Sequence, residues 1–280
     1  MRTLACSLLL TTASTALAAP AFAETPAAPA PAFAIMDNTG APSQLDTDLA
    51  FMVPTDDEED GDGILLRMNL LGQYVAPGGF GGYAGIDVMQ GLFDDSDDSY
   101  QAIGNLQLGG LFQRSLNPQV DIGARVGLIL PTASDKGFDS LVHLIGTQVT
   151  RPADLATSAP DATWIRLGVS PTFHSGDVFL RTDAGIDVPV LDAENFKLDA
   201  IGHVNIGAGV RHDRLVATAE LQSAFAIGSE DDVESLVHTG ALSVRYHGAT
   251  LAPFVALSSP LDDDLAGEIF AITVGLTAPL

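Results

Sequence analysis

The side chains with most to offer chemically are charged groups that stand singly between aliphatic or small neighbours. They are Arg67, Asp87, Asp121, Arg125, Arg166, Arg181, Asp183, Asp187, Lys197, Asp199, His203, Glu220 and Arg245. In an extended chain successive side chains face opposite sides, so these groups fall on one face and aliphatic residues on the other. Gathered around an interior, a set of mixed sign would line an aqueous path and set its preference among ions. The same set could instead pair off in salt bridges and fill a narrow interior. Gly85, Gly109, Gly123, Gly127, Gly168, Gly185, Gly207 and Gly209 share that face. Positions without side chains leave room for water, which favours the path.

Other candidates carry less. Asp56, Glu58 and Asp60 place oxygen donors at alternate positions ahead of Gly61, like the start of a calcium loop. An EF-hand needs a bidentate Glu late in that loop, and Arg67 stands there instead. The stretch therefore reads as a solvated acidic loop, with loosely bound calcium or magnesium the only cofactor to expect. Asp139, Ser140 and His143 lie close together, but a chance cluster in a long loop explains them better than a triad. The histidines show no pairing at metal-ligand spacing. An outer-membrane phospholipase A would need His and Ser two apart, and His238 is followed by Thr239 and Gly240. No catalytic residue is assigned, and catalysis is not expected.

These side chains need a scaffold of a particular kind. The chain opens with Met1-Arg2-Thr3, an apolar run and Ala21-Phe22-Ala23, so residues 1–23 read as a secretory signal peptide cleaved after Ala23. Cys6, the one cysteine, lies within it, leaving no disulfides to stabilise the exported chain. Residues 24–44 are rich in Pro and Ala and read as a flexible lead-in. The net charge of −24 excludes nucleic acid as a partner, since phosphate binding needs clustered Lys and Arg. Yet 46% of residues are hydrophobic. A chain both greasy and acidic must segregate the two. No later stretch is long and apolar enough for a membrane helix, so any membrane crossing falls to strands.

Residues 45–280 divide into strand-like runs, about twelve of them, each of the length a tilted strand needs to cross a bilayer. They lie near Leu45–Val53, Ile64–Val75, Phe80–Phe93, Tyr100–Gln113, Val120–Leu130 and Ala162–Phe173, then Val178–Val190, Phe196–Val210, Leu215–Ile227, Leu236–Tyr246, Leu251–Ser259 and Ile269–Leu280. Short connections such as Ala76–Gly79 and Arg211–Asp213 alternate with longer acidic ones such as Asp56–Asp62 and Glu230–Glu234. Aromatics close the runs at both ends on the apolar face. Tyr100, Phe196, Phe225 and Phe270 stand beside the long loops, and Tyr74, Phe112, Phe173 and Tyr246 beside the short turns. Two such girdles are what two membrane interfaces select, because an amphipathic ring is stable at headgroup level. A soluble sandwich would place its rings mid-strand.

On these features residues 45–280 resemble the bacterial outer-membrane β-barrels as a class, although the chain ends Ala278-Pro279-Leu280 rather than in an aromatic. The resemblance implies an all-β fold, a single antiparallel up-and-down transmembrane barrel. It also implies an outer-membrane location, with lipid and lipopolysaccharide as surroundings and short turns in the periplasm. The expected function is a narrow, passive, cation-preferring channel for small polar solutes or cations. The alternative is a non-conducting barrel whose acidic loops bind divalent ions or partners. The long stretch 133–161 carries Phe138, Leu141, Val142, Leu144 and Ile145 at roughly helical spacing, and either folds inward as a constriction or caps the outer rim.

Overall fold

The computed structural model describes residues 33–36, 39–55, 63–93, 100–133, 138–191, 200–228, 236–262 and 265–280. The alternating runs become strands β1 (Gln44–Pro54), β2 (Gly63–Val75), β3 (Phe80–Phe93), β4 (Tyr100–Ile103), β5 (Leu106–Asn117), β6 (Val120–Leu130) and β7 (Thr163–Ser175). After them come β8 (Val178–Leu191), β9 (Ala200–His212), β10 (Leu215–Ile227), β11 (Leu236–Tyr246), β12 (Ala252–Pro260) and β13 (Ile269–Pro279). Each pairs antiparallel with its neighbours, and β1 pairs with both β2 and β13, so the sheet closes on itself. Closure pairs the wall backbone from strand to strand, as a strand-built membrane protein requires, and among the described strands the four-residue β4 alone has a single partner, β3. The chain's final strand, despite its non-aromatic end, makes that closing pair along its whole length, from Gln44↔Pro279 to Pro54↔Ile269.

The expected run Tyr100–Gln113 is divided at Gly104-Asn105. Its two pieces, β4 and β5, both pair with β3. They form one interrupted stave, so the thirteen strands make a closed barrel of twelve staves.

Which face is buried settles the class. Arg166, Asp187, Asn205 and Gln222 have no exposed surface, while Leu242 is 64% exposed and Leu70, Leu128, Val204, Val255 and Leu257 also stand open on the outside. In water each such aliphatic side chain would forgo roughly 1.5–3 kcal/mol of burial. Summed over a barrel, that loss far exceeds the stability of a domain, so the outer face is built for lipid. Its described strand positions hold one Asp, Glu, Lys or Arg, namely Arg114, beside the short-turn rim. At that rim Tyr74, Phe173 and Tyr246 point outward, and Phe112 packs at 5.0 Å against the exposed Phe80. Phe225 and Phe270 are half-buried on the outer face near the long loops. Phe196 and the Tyr100 side chain lie outside the described residues.

Two segments fold inside the barrel. Between β6 and β7 the chain forms α1 (Phe138–Thr150), a 3-10 turn (Pro152–Asp154) and α2 (Leu155–Ser158), entering from the long-loop rim. The inward alternative for 133–161 is thus the one adopted. The second segment is a correction. Residues 24–44 read as a lead-in without a fold, but β1 begins at Gln44, and Phe33, Ala34, Ile35, Met36, Thr39 and Ala41 are buried inside the barrel. The composition was misleading because this strap draws its order from the wall around it.

Candidate functional site

The inner faces of the strands carry the candidate residues, and the strand register sets them in rows. One row runs Gly127–Arg166–Asp187–Ile201 across β6 to β9, and the next toward the short turns runs Arg125–Gly168–Gly185–His203. Below them lie Gly123–Ser170–Asp183–Asn205–Gln222 and then Thr172–Arg181–Gly207–Glu220. Alternation therefore converts spacing along the sequence into a charged band around the lumen.

Arg166 is the centre of this band. Its Nε and Nη2 donate to both oxygens of Asp187, at 2.8 and 2.7 Å, while Nη1 reaches Asp154 Oδ1 at 2.8 Å and Gln107 at 3.2 Å. Asp154 belongs to the insert, as does Arg151, which donates to Asp154 at 2.9 Å and lies 3.7 Å from Asp48 on β1. Burial alone would raise the Asp154 carboxyl, but Arg151 and Arg166 outweigh it and hold the group below the usual carboxylate range. Burial likewise opposes the charge on Arg151, and Asp154 and Asp48 reverse that effect and raise it. A second anchor joins Arg67 and His143 on one carboxylate, Asp87, at 3.0 and 2.7 Å. His143 is thus engaged with the wall, while the Asp139 and Ser140 side chains lie outside the described residues. Asp183 gathers Ser170, Asn205 (3.3 Å) and, more distantly, Arg181 and His203 (3.6 Å each). Arg125 reaches His203 Nε2 at 3.2 Å.

Glu220 holds the strap. Its two oxygens accept the backbone N–H groups of Ala34, Ile35 and Met36 at 2.8, 2.9 and 2.9 Å. Two residues on, Gln222 donates to the Ile35 carbonyl and accepts from Ala153 N–H of the insert at 3.3 Å, so strap and insert meet on one side chain. Arg245 stacks on Phe254 at 4.3 Å and donates to Thr277 near the short-turn rim. Asp121 faces the mouth, partly exposed and 2.8 Å from His174. Lys197, Asp199 and the acidic Asp56, Glu58 and Asp60 lie outside the described residues.

The inner glycines do not leave water-filled gaps. A Cβ at Gly207 would strike the Phe33 ring and approach Met36 Sδ to 2.8 Å. One at Gly123 would meet Thr39, at Gly168 the Arg125 side chain, at Gly185 the His203 ring, and at Gly109 or Gly127 the Tyr83 ring. The expectation that these glycines make room for solvent is therefore corrected: they make room for long side chains and for the strap.

Several contributors were missed by inspection of the sequence. Asp46 and Asp48 alternate with Leu45, Thr47 and Leu49, and Gln222 shares a face with Glu220, so a period-two signal was present for all three. Asn105, Arg151 and Asp154 sit in irregular backbone and gave none. His238 faces outward near the long-loop rim and bonds across strands to Ser223 at 2.8 Å.

No protein-family model matches the sequence, and no curated protein sequence matches it. Solved structures do. An outer membrane channel from Pseudomonas putida F1 aligns with a TM-score of 0.60 at 13% identity, over 86% of this chain and 97% of that one. NanC porin aligns with a TM-score of 0.56 at 9% identity, over 84% and 100%. KdgM porin aligns with 0.52 at 10%, over 84% and 99%. At such identities the likeness is one of fold, and the fold is that of the bacterial outer-membrane β-barrels.

Proposed function

We propose that the protein is a narrow passive diffusion channel of the outer membrane, with a preference for cations. The observation that carries this reading is the band of charge on the inner wall. Apolar inner residues occur where a strap or insert covers them, as at Phe179 and Val216 or Met52 and Met89. Leu71, Tyr83 and Leu111 form one further apolar patch, and most of the remaining described wall is polar, which a barrel acting only as an anchor does not require. The structural neighbours described as channels and porins favour the same reading. Inside the lumen, Arg67, Arg125, Arg151, Arg166, Arg181 and Arg245 nearly balance Asp46, Asp48, Asp87, Asp154, Asp183, Asp187 and Glu220. Cation preference therefore rests on the net charge of −24 and the acidic long loops, which raise the local cation concentration at the mouth through a surface potential that salt screens.

A second reading is favoured by the filling of the lumen. A barrel occupied by both strap and insert would conduct nothing and would present its acidic loops to divalent ions or to lipopolysaccharide. The reversal potential of the refolded protein in a planar bilayer under a salt gradient separates the two, with heat-modifiable gel mobility as the folding control. A reversal potential on the cation side, shrinking as salt rises, supports the channel. An anion-side potential removes the preference, and a folded but silent barrel favours the second reading.

A further inference from the structure

The geometry points to a displaceable plug: residues 33–36 and 39–41 close the lumen from the short-turn side, and unseating them from Glu220 and Gly207 opens it. This rests on the channel reading and assigns that channel its regulation. β1 starts at the short-turn rim, where Gln44 lies opposite Gln73 and Pro279, so the residues before it must turn back to enter the barrel. Their seat is built for peptide backbone. Glu220 presents both carboxylate oxygens to three successive N–H groups, an arrangement in which each bond is charge-assisted. Gly207, beside Glu220 in the same row, leaves the space that the Phe33 ring and the Met36 side chain fill. Phe33 then packs edge-on against Phe179 at 5.5 Å, and Arg181 stands 5.9 Å from the same ring. Further along, the Ala41 carbonyl accepts from both Gln73 and Gln113, at 2.7 and 2.6 Å.

The seat is also reversible in kind. Besides its apolar contacts and the Arg181 guanidinium over the Phe33 ring, the 33–36 end is held by Glu220 and by the Gln222 bond to Ile35, and among the described residues no salt bridge involves positions 33–36. Withdrawing it would leave a polar carboxylate facing water, which can solvate it.

The test uses the full exported chain carrying Met36→Cys, a position fully buried when the strap is seated. Gly207→Val fills the seat from the wall side, and Ile35→Pro removes a donor from the strap side without touching the barrel. Accessibility of Cys at that position to a membrane-impermeant maleimide reports unseating independently of ion flow, and single-channel recording reports opening. The expected result is that both variants are labelled faster than the parent and that their mean conductance rises about tenfold. If the strap becomes reactive while conductance stays at the parent's measurable level, or if the parent is labelled as fast as the variants, the plug is overturned and the channel reading stands. If parent and variants, all folded by gel mobility, are silent even when the strap is reactive and residues 138–158 are also deleted, the channel reading itself fails and takes the plug with it.

Discussion

The strap and the helical insert both occupy the barrel, yet they are held by different chemistry. The insert is joined to the wall at both ends, by β6 and β7, and its contacts are redundant. Asn105, in the interruption between β4 and β5, donates through its side chain to Ala159 at 2.5 Å and Ala156 at 3.2 Å and accepts from Ala133, while its backbone N–H reaches Thr157. Arg166 and Asp87 add charged anchors, and Ala156 and Ala159 pack with Trp164, Ile129, Ile201 and Ala224. The described contacts of the strap are one carboxylate, three glutamines (Gln73, Gln113 and Gln222) and a small apolar seat. A redundant network of buried charges makes a fixed constriction, because a group that loses one partner, as Asp154 would on losing Arg166, is still held by another. A backbone held on a single carboxylate makes a part that can leave.

That contrast can be broken most severely at Arg166. Arg166→Ala strands Asp187 in the interior and leaves Asp154 on Arg151 alone, and should cost about 3–5 kcal/mol of stability, measured as a lower urea midpoint in detergent or lipid. A barrel as stable as the parent would mean that the network is not what holds the insert. Asn105→Ala should be milder, costing about 1–3 kcal/mol of insert docking, and hydrogen exchange should quicken along 138–158 with the strands unaffected. Gly207→Val should do the reverse, quickening exchange in the strap while the insert stays protected. If both segments loosen together, they are one unit rather than two.

Acid should act on the insert. The Asp154 carboxyl is held below its ordinary 3.8 in the folded state, so its contribution is fully present above that value and is lost as pH falls through the folded one. Proteolytic protection of the insert should therefore be unchanged from neutral pH down to about 5 and decline only below about 4. Loss near neutrality would exclude Asp154 as its cause. The smallest effect concerns the acidic loops: millimolar calcium should raise the melting temperature slightly if Asp56, Glu58 and Asp60 bind it, and an unchanged melt would dismiss that site.

Much of the barrel was legible because a period of two leaves little freedom. Phe80–Phe93, Val120–Leu130, Leu215–Ile227 and Leu236–Tyr246 form strands with the bounds their alternation predicts. The same alternation puts Arg67, Asp87, Arg125, Arg166, Arg181, Asp183, Asp187, His203, Glu220 and Arg245 on the inner wall. What alternation cannot report is what the wall encloses. The strap's Pro- and Ala-rich lead-in has no period, and its order comes from Glu220, nearly two hundred residues away in sequence. Glycine spacing shows where a side chain is missing but not what fills the space, which is why Gly207 and Gly168 suggested water and hold Phe33 and Arg125. The Gly104-Asn105 break escaped notice because both halves of that stave keep pairing with β3.

The most direct measurement is single-channel recording of Gly207→Val beside the wild type in a planar bilayer. The account predicts rare, brief openings for the wild type and long, cation-preferring openings for the variant. A wild type that conducts steadily at the variant's level, or a folded variant that never conducts, would contradict it.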